Sequence, residues 1–426
     1  MKTFFKDLVT KHLRRGTHGS FSLFSNGKQE VTLFDPISDL VADMNVHDEK
    51  AFKAMVLGSD IGLGDSYAEG QWDSKDLTSL LQWFVRNNRE ITPKRLGWLN
   101  TPIKICLNLV RKAQHFGRRN NRENSKKNIH EHYDLGNDFF SEFLDDSMTY
   151  SSAFFAYEGQ SLSDAQEEKY RRMCEKLDLK KSDSLLEIGC GWGGFAIFAA
   201  ENYGCHVTAT TISQEQFIEA TRRIESLGLQ ERIEIVLTDY RDLTGEYDKI
   251  ASIEMLEAVG HSFLQTYFAA VDRLLFPGGL ACVQVITCPS PFYADYLKNA
   301  DYIQRRIFPG SNLPSNQALL DASTAGGSLE VLHLESFGLH YAETLKRWRL
   351  KFEENWPKIS KQSFDETFFR KWRFYLCYCE AGFRERHVNV SQLVFARPDE
   401  HGYVFEQSHY ATPQTESEDQ RLAFVR

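Results

Sequence analysis

The chain has 426 residues, a hydrophobic fraction of 42% and a formal net charge of −9. That length points to two or three domains, and the negative balance argues against a general nucleic-acid binder. No apolar run reaches the roughly 20 residues needed to span a bilayer, and Lys2, Lys6, Lys11, Arg14 and Arg15 interrupt the N-terminus where a secretory signal would lie. Residues 1–93 read as a small mixed α/β domain. Apolar periodicity predicts a helix over 3–14, a strand over 31–34, a helix over 48–55, a turn over 62–67 and a helix over 77–85. Residues 94–128 read as a basic amphipathic linker, in which Lys94, Arg95, Lys104, Arg111, Lys112, Arg118 and Arg119 alternate with Trp98, Leu99, Ile103, Leu107 and Val110. Such a stretch suits an anionic membrane surface; a solvated linker is the alternative.

Residues 129–397 alternate strand and helix signals, the mark of a doubly wound α/β sheet. The first strand, over 185–188, runs into Gly189-Cys190-Gly191-Trp192-Gly193-Gly194, and a helical pattern follows. Glycines let the backbone approach a ligand closely, and a helix N-terminus offers free N–H groups. The spacing is G-x-G-x-G-G, not the dinucleotide pattern. Glu187, just before the glycines, disfavours a phosphate and suits a cation. S-adenosylmethionine (SAM), with its ammonium and sulfonium, fits best; an ordinary glycine-rich turn is the alternative. Further strands are expected over 205–210, 233–237 and 248–253. A turn at Pro277-Gly278-Gly279 then leads to a fifth over 280–286. Ligands in such folds sit at the carboxyl ends of the strands, where Glu187, Thr211, Asp239, Glu254, Glu257, Gln284 and Ile286 stand. Residues 398–426 read as a polar tail. The eight cysteines show no paired metal spacing and read as reduced intracellular thiols. No metal site is expected.

Several motifs follow one another in order: His132-Tyr133-Asp134-Leu135-Gly136-Asn137-Asp138, Met148-Thr149-Tyr150-Ser151-Ser152, the glycine loop, and Thr211-Ile212-Ser213-Gln214-Glu215-Gln216. After them come Asp239-Tyr240-Arg241-Asp242, Phe308-Pro309-Gly310, and Cys379 ahead of Phe383-Arg384. On these motifs the chain, from about residue 60 to 397, resembles the cyclopropane-fatty-acyl-phospholipid synthases of the SAM-dependent methyltransferase superfamily. Gly64-Asp65-Ser66-Tyr67 with Gly70 and Trp72 resembles the N-terminal domain of bacterial members. The resemblance implies a doubly wound Rossmann-like methyltransferase domain with a smaller N-terminal α/β domain. It implies transfer of the SAM methyl carbon to a cis double bond of a phospholipid acyl chain, with proton loss closing a cyclopropane. It also implies a cytoplasmic protein in peripheral contact with the inner face of the membrane, and a homodimer.

By the same resemblance Tyr150, Ser151, Gly189, Gly191, Thr211, Gln216, Tyr240 and Arg241 surround SAM, beside Glu187, Gly193 and Ser213. Ser213 and Gln216 also suit a capping box. In the family the base is a bound bicarbonate. It is held by a cysteine after the Tyr-Ser pair, a glutamate, a histidine on the fifth strand, a backbone group two residues later, and a tyrosine. Here Glu257, Ile286 and Tyr341 match the glutamate, the backbone position and the tyrosine. Ser152 stands for the cysteine, Gln284 for the histidine, and Ala258 for a further histidine. Serine and glutamine still donate hydrogen bonds, but glutamine carries no positive charge. Cys379 corresponds to a cysteine near the family site, or is a small buried hydrophobe on a helix. The expected product is a cyclopropane fatty acid. A methyl-branched or methylene lipid, amine N-methylation, and SAM binding without turnover are the alternatives.

Overall fold

The structure is a computed structural model that describes residues 2–91 and 135–398. The basic linker, the His132-Tyr133-Asp134 part of the first motif and the polar tail lie outside the described residues. The chain opens with α1 (Lys2–Leu13), β1 (Ser20–Ser25) and β2 (Lys28–Leu33). Asn26 and Gly27 turn this hairpin with φ of 50° and 76°, the left-handed pair that matches the twist of the flanking strands. β3 (Val41–Val46) runs parallel to β1; α2 (Lys50–Ala68) follows, and then β4 (Trp72–Asp73), antiparallel to β3. The resulting sheet has the order β2-β1-β3-β4. α3 (Leu77–Arg86) and α4 (Asn88–Ile91) complete this stretch. Alternation buries Phe21 and Leu23, and Phe21 stacks on Trp83 of α3 with centroids 4.3 Å apart.

The turn expected over 62–67 is helix. The bend in α2 falls instead at Ser59, with φ 56° and ψ −132°. The glycines serve close approach. A Cβ on Gly62 would lie 1.9 Å from the Ala54 carbonyl oxygen, and one on Gly64 would lie 2.2 Å from the Tyr302 ring. Glycine is read from sequence as a turn residue, yet here it lets backbone and ring pack where no side chain fits.

The second stretch begins with α5 (Asn137–Ser141) and α6 (Leu162–Lys176). Then come β5 (Ser184–Ile188), α7 (Gly194–Tyr203), β6 (His206–Thr211), α8 (Gln214–Ser226), β7 (Ile233–Leu237), β8 (Tyr247–Ile253), α9 (Leu264–Leu274) and β9 (Leu275–Thr287). After these come α10 (Ser290–Tyr296), α11 (Tyr302–Arg306), α12 (Asn316–Gly326), β10 (Glu330–Ser336), α13 (Gly338–Ile359), α14 (Glu366–Arg384) and β11 (Asn389–Ala396). The large sheet has the order β10-β11-β9-β8-β5-β6-β7. Its strands from β5 to β9 pair in parallel, and β11 and β10 add an antiparallel edge. Strands buried on both faces read as near-continuous apolar runs. Leu185, Ala196 and Cys282 fill the core on one face, and Leu186, Ile250 and Phe268 fill that on the other. The expected turn at Pro277-Gly278-Gly279 lies within β9 as a bulge. The β8–β9 register steps from Tyr247↔Leu275 to Lys249↔Leu280, with Gly278 at φ 82°.

The compact units do not follow chain order. One holds the described residues up to 91 with Pro291–Ser311 and Leu345–Val388, and the other holds residues 135–290, Asn312–Thr344 and 389–398. Residues 291–311 and 345–388, which the sequence places in one run of 129–397, thus group with the N-terminal residues. Side chains show why. Arg370 of α14 donates to the carbonyls of Tyr67 at 2.6 Å and Trp72 at 2.8 Å, and Thr78 of α3 donates to Glu380 at 3.2 Å.

Candidate functional site

In the second unit the strand order reverses at β5: β6 and β7 lie to one side, β8 and β9 to the other. A crevice forms at the carboxyl ends of the strands beside such a reversal. The glycine loop leaves β5 there. Gly189, Gly191 and Gly193 have φ of 85°, 54° and 83°, conformations that disfavour any residue with a Cβ. The N–H groups of Gly189 and Cys190 both donate to the Thr210 carbonyl at 3.0 Å, which fastens the loop to β6. A Cβ on Gly189 would lie 2.6 Å from Met255 Cγ, whereas one on Gly191 would meet nothing within 4 Å. Space therefore lies open beside Gly191. Trp192 donates to Asn137 at 2.7 Å, which ties the loop to α5.

Glu187, two residues before the loop, is buried, and its Oε2 has no hydrogen-bond partner. Burial pushes its carboxyl up to about 8, against the pull of the Lys169 ammonium. A buried carboxylate with a free oxygen beside an open glycine cradle fits a cationic ligand. Lys169 is itself fully buried, and burial brings it down to about 7. It donates to Ser151 Oγ at 2.8 Å. Tyr150 packs against Phe140 with centroids 5.3 Å apart.

At the end of β6, Thr211 Oγ1 donates to Gln216 Oε1 at 2.8 Å and accepts from Ser213 N at 3.1 Å. Ser213 caps α8, accepting from Gln216 N at 3.3 Å. The expected capping box is therefore half formed: the Gln216 side chain turns to Thr211, whose hydroxyl is the nearer partner. After β7, Arg241 grips Asp239 with two hydrogen bonds of 2.8 and 2.5 Å. Tyr240 sits against Tyr267 at 5.5 Å, and burial raises its hydroxyl to about 12.

A second cluster lies after β8 and along β9. Glu254 directly follows β8 with φ 49°. Its Oε1 accepts from Ser152 N and from Gln284 Nε2, both at 2.8 Å, and its Oε2 accepts from Tyr341 OH at 2.7 Å. Glu257 Oε1 accepts from Ile286 N at 2.5 Å, and its Oε2 has no hydrogen-bond partner. The Ser152 hydroxyl turns away to the Ala153 carbonyl at 3.0 Å. Burial raises both carboxyls, and the charge of Glu254 adds to the rise at Glu257.

The structure thus brings Ser152, Glu257, Gln284, Ile286 and Tyr341 together, with Glu254 in their midst. It sets Tyr150, Ser151, Glu187, Gly189, Gly191, Gly193, Thr211, Ser213, Gln216, Tyr240 and Arg241 on the same strand ends and the segments that meet them. Cys379 belongs to the first unit, on α14, and is not part of these hydrogen bonds. Burial raises its thiol, with Asp301 and Cys377 beside it, which suits a packing role. Sequence reasoning placed Glu254 at a strand end but gave it no task. The available signal was the joint loss of the cysteine and the histidine, with an acid nearby. Lys169 and Lys176 were also passed over, because charges on an amphipathic helix read as solvated, and so was Gln392 on β11.

The family described as Mycolic acid cyclopropane synthetase matches residues 120–393. Tuberculostearic acid methyltransferase UfaA1 of Mycobacterium tuberculosis is 39% identical over 344 residues, 79% of this chain and 79% of the relative. Cyclopropane-fatty-acyl-phospholipid synthase of Escherichia coli is 36% identical over 366 residues, 85% of this chain and 89% of the relative. Among solved structures, the cyclopropane synthase MmaA2 of Mycobacterium tuberculosis superposes with a TM-score of 0.60 at 28% identity, covering 64% of this chain and 98% of that one. The mycolic acid cyclopropane synthase CmaA1 complexed with SAH and CTAB gives 0.59 at 30% identity, covering 63% and 97%.

Proposed function

The chain belongs to the mycolic acid cyclopropane synthetase family of SAM-dependent methyltransferases, and from that premise we propose that it methylates the double bond of an unsaturated phospholipid acyl chain. The observation that carries this reading is the buried acid cluster of Glu254 and Glu257, next to the glycine cradle at the strand reversal. An alkene is a weak nucleophile, so the two reactants must be held close and in line. SAM supplies an electrophilic methyl group.

The chain's residues do the rest. Glu187 and the positive-φ loop suit the cation. The carboxylates oppose the positive charge that develops on the acyl chain and stand ready for its proton. Ring closure follows where the proton comes from the transferred methyl, giving a cyclopropane. A second reading, favoured by the relative named a methyltransferase and not a cyclopropane synthase, is an open-chain product. Loss of a proton from an open-chain cation leaves a C=C bond, so that product is a methylene or methyl alkene.

Among the described residues no helix is long and apolar enough to cross a membrane. Peripheral contact through the basic segment 94–128 is part of the proposal and rests on its sequence. The test is mass spectrometry and proton NMR of cis-monounsaturated phosphatidylglycerol vesicles incubated with the protein and methyl-labelled SAM. A gain of one CH2 with upfield ring protons identifies the cyclopropane. The same gain with retained alkene protons identifies the open-chain product. No label in lipid overturns the reading.

A further inference from the structure

We propose that the Glu254 carboxylate takes the place that the resemblance assigns to a bound bicarbonate, and that it receives the proton released after methyl transfer. This rests on the lipid-methylating reading above.

Of the groups expected to hold a bicarbonate, all but Glu257 Oε2 are already engaged. Ser152 supplies its backbone N–H, Gln284 its amide and Tyr341 its hydroxyl, and all three donate to Glu254, at 2.8, 2.8 and 2.7 Å. The Ile286 N–H donates to Glu257 at 2.5 Å. A bicarbonate there would set a further anion beside the buried Glu254 carboxylate, which already takes the donors, and like charges in a buried site oppose one another. The residues present do not fit that group.

The backbone supports the same assignment. Glu254 adopts φ 49° without being glycine, a strained conformation that persists where surroundings hold it. Its N–H donates to the Gln284 carbonyl at 2.8 Å, while the Gln284 side chain returns to its carboxylate. Main chain and side chain are thus tied to one partner.

A chain of buried groups fixes which way Gln284 faces. Lys176, fully buried, donates to Gln392 Oε1. An ammonium has no acceptor, so Gln392 must turn its oxygen to it and its NH2 to Gln284 Oε1, at 3.0 Å. Gln284 is then left with only its NH2 for Glu254. Lys176 and Gln392 are positioning residues: they keep a donor, and not a carbonyl, against the carboxylate.

The step balances within the named groups. The alkene π pair forms the new C–C bond, the methyl–sulfur bond breaks with its pair going to sulfur, and positive charge appears on the acyl chain. A C–H bond of the transferred methyl then breaks. Its proton goes to Glu254 and its electron pair closes the ring. The products are the cyclopropane, S-adenosylhomocysteine and a protonated Glu254, which returns its proton to solvent. Abstraction of a different C–H proton by the same carboxylate gives the open-chain alkene.

The experiment uses the full chain, cis-monounsaturated phosphatidylglycerol vesicles and methyl-labelled SAM, in buffer stripped of carbon dioxide and then with bicarbonate added. Unmodified protein is expected to turn over equally, within about twofold, in both. Glu254→Gly removes the carboxylate at a backbone position that suits glycine. It should lose about 100-fold or more in bicarbonate-free buffer and recover about tenfold or more when bicarbonate is added. Glu254→Gln fills the same space and should lose activity without recovery while SAM binding, read by calorimetry, persists. Bicarbonate-dependent turnover of the unmodified protein, or full activity of Glu254→Gln without bicarbonate, overturns the assignment. No label in lipid from unmodified protein in either buffer sinks the proposed function and the base with it.

Discussion

Glu254 and Gln284 hold each other by two hydrogen bonds of 2.8 Å, one from the Glu254 N–H to the Gln284 carbonyl and one from the Gln284 amide to the Glu254 carboxylate. The ends of β8 and β9 are thereby locked together. Burial raises the Glu254 carboxyl, and the donors Tyr341, Ser152 and Gln284 pull it back. A base works only when ionised, so activity should fall as pH drops through this raised value. The acid limb of kcat against pH should therefore lie above the ordinary carboxylate range. Tyr341→Phe removes one stabilising donor and should shift that limb upward. An unmoved limb would separate Tyr341 from the base.

Lys176→Met breaks the amide chain at its origin. Gln392 and Gln284 are then free to reverse, which would place a carbonyl against the Glu254 carboxylate. We expect kcat to fall about tenfold or more and the acid limb to move, with KM for SAM little changed. Arg172 and Lys176 both pair with Glu335. Breaking such a buried set should also cost about 3 kcal/mol, read by urea unfolding. Loss of stability with an unaltered pH profile would reduce Lys176 to a structural role.

Gly191→Asp fills the open space beside the loop at a positive φ. SAM affinity should drop about 100-fold or more, because a residue with a Cβ is strained there and the added side chain takes ligand space. Isothermal calorimetry that finds unchanged affinity would remove the loop from the site.

Burial holds Glu187 at about 8 despite the pull of the Lys169 ammonium. A bound cation favours the ionised carboxylate, so SAM binding should release a proton below that pH. Affinity should rise as pH increases from about 6 to 8, and Glu187→Gln should flatten the slope. Calorimetry in buffers of differing ionisation enthalpy counts the proton directly. No proton release would place the cation elsewhere.

Gly64→Ala puts a methyl group 2.2 Å from the Tyr302 ring and 2.9 Å from that of Phe374. Overpacking of this kind costs about 1–3 kcal/mol and should lower the unfolding midpoint without touching SAM affinity. A neutral result would mean that α2 can shift to make room.

The parallel strands were legible because they are buried on both faces, and runs such as Leu185-Leu186-Glu187-Ile188 show this directly. The glycine loop was legible because three positive φ values demand glycine. Gly62 and Gly64 misled for a related reason: sequence does not distinguish a glycine that bends the chain from one that makes room for Ala54 or Tyr302. Ser152 and Gln284 were legible as departures from the family pattern. Their compensation by Glu254 was not, because it depends on a carboxylate reaching across to Ser152 N, 102 positions earlier in the chain. The capping box failed on a local competition, in which Thr211 drew the Gln216 side chain away from Ser213.

The compact unit that begins at the N-terminus needs Pro291–Ser311 and Leu345–Val388 to be complete. On the ribosome its first sheet emerges long before those helices exist. Glu380, Arg370 and Tyr302 reach their partners Thr78, Tyr67 and Asp60 only once most of the chain has been made. Synthesis therefore imposes a waiting period on that unit, while strands β5 to β9 can pair with one another before β10 and β11 are made. A nascent chain arrested after residue 290 should protect β5 to β9 from protease and leave α2 and α3 open to it.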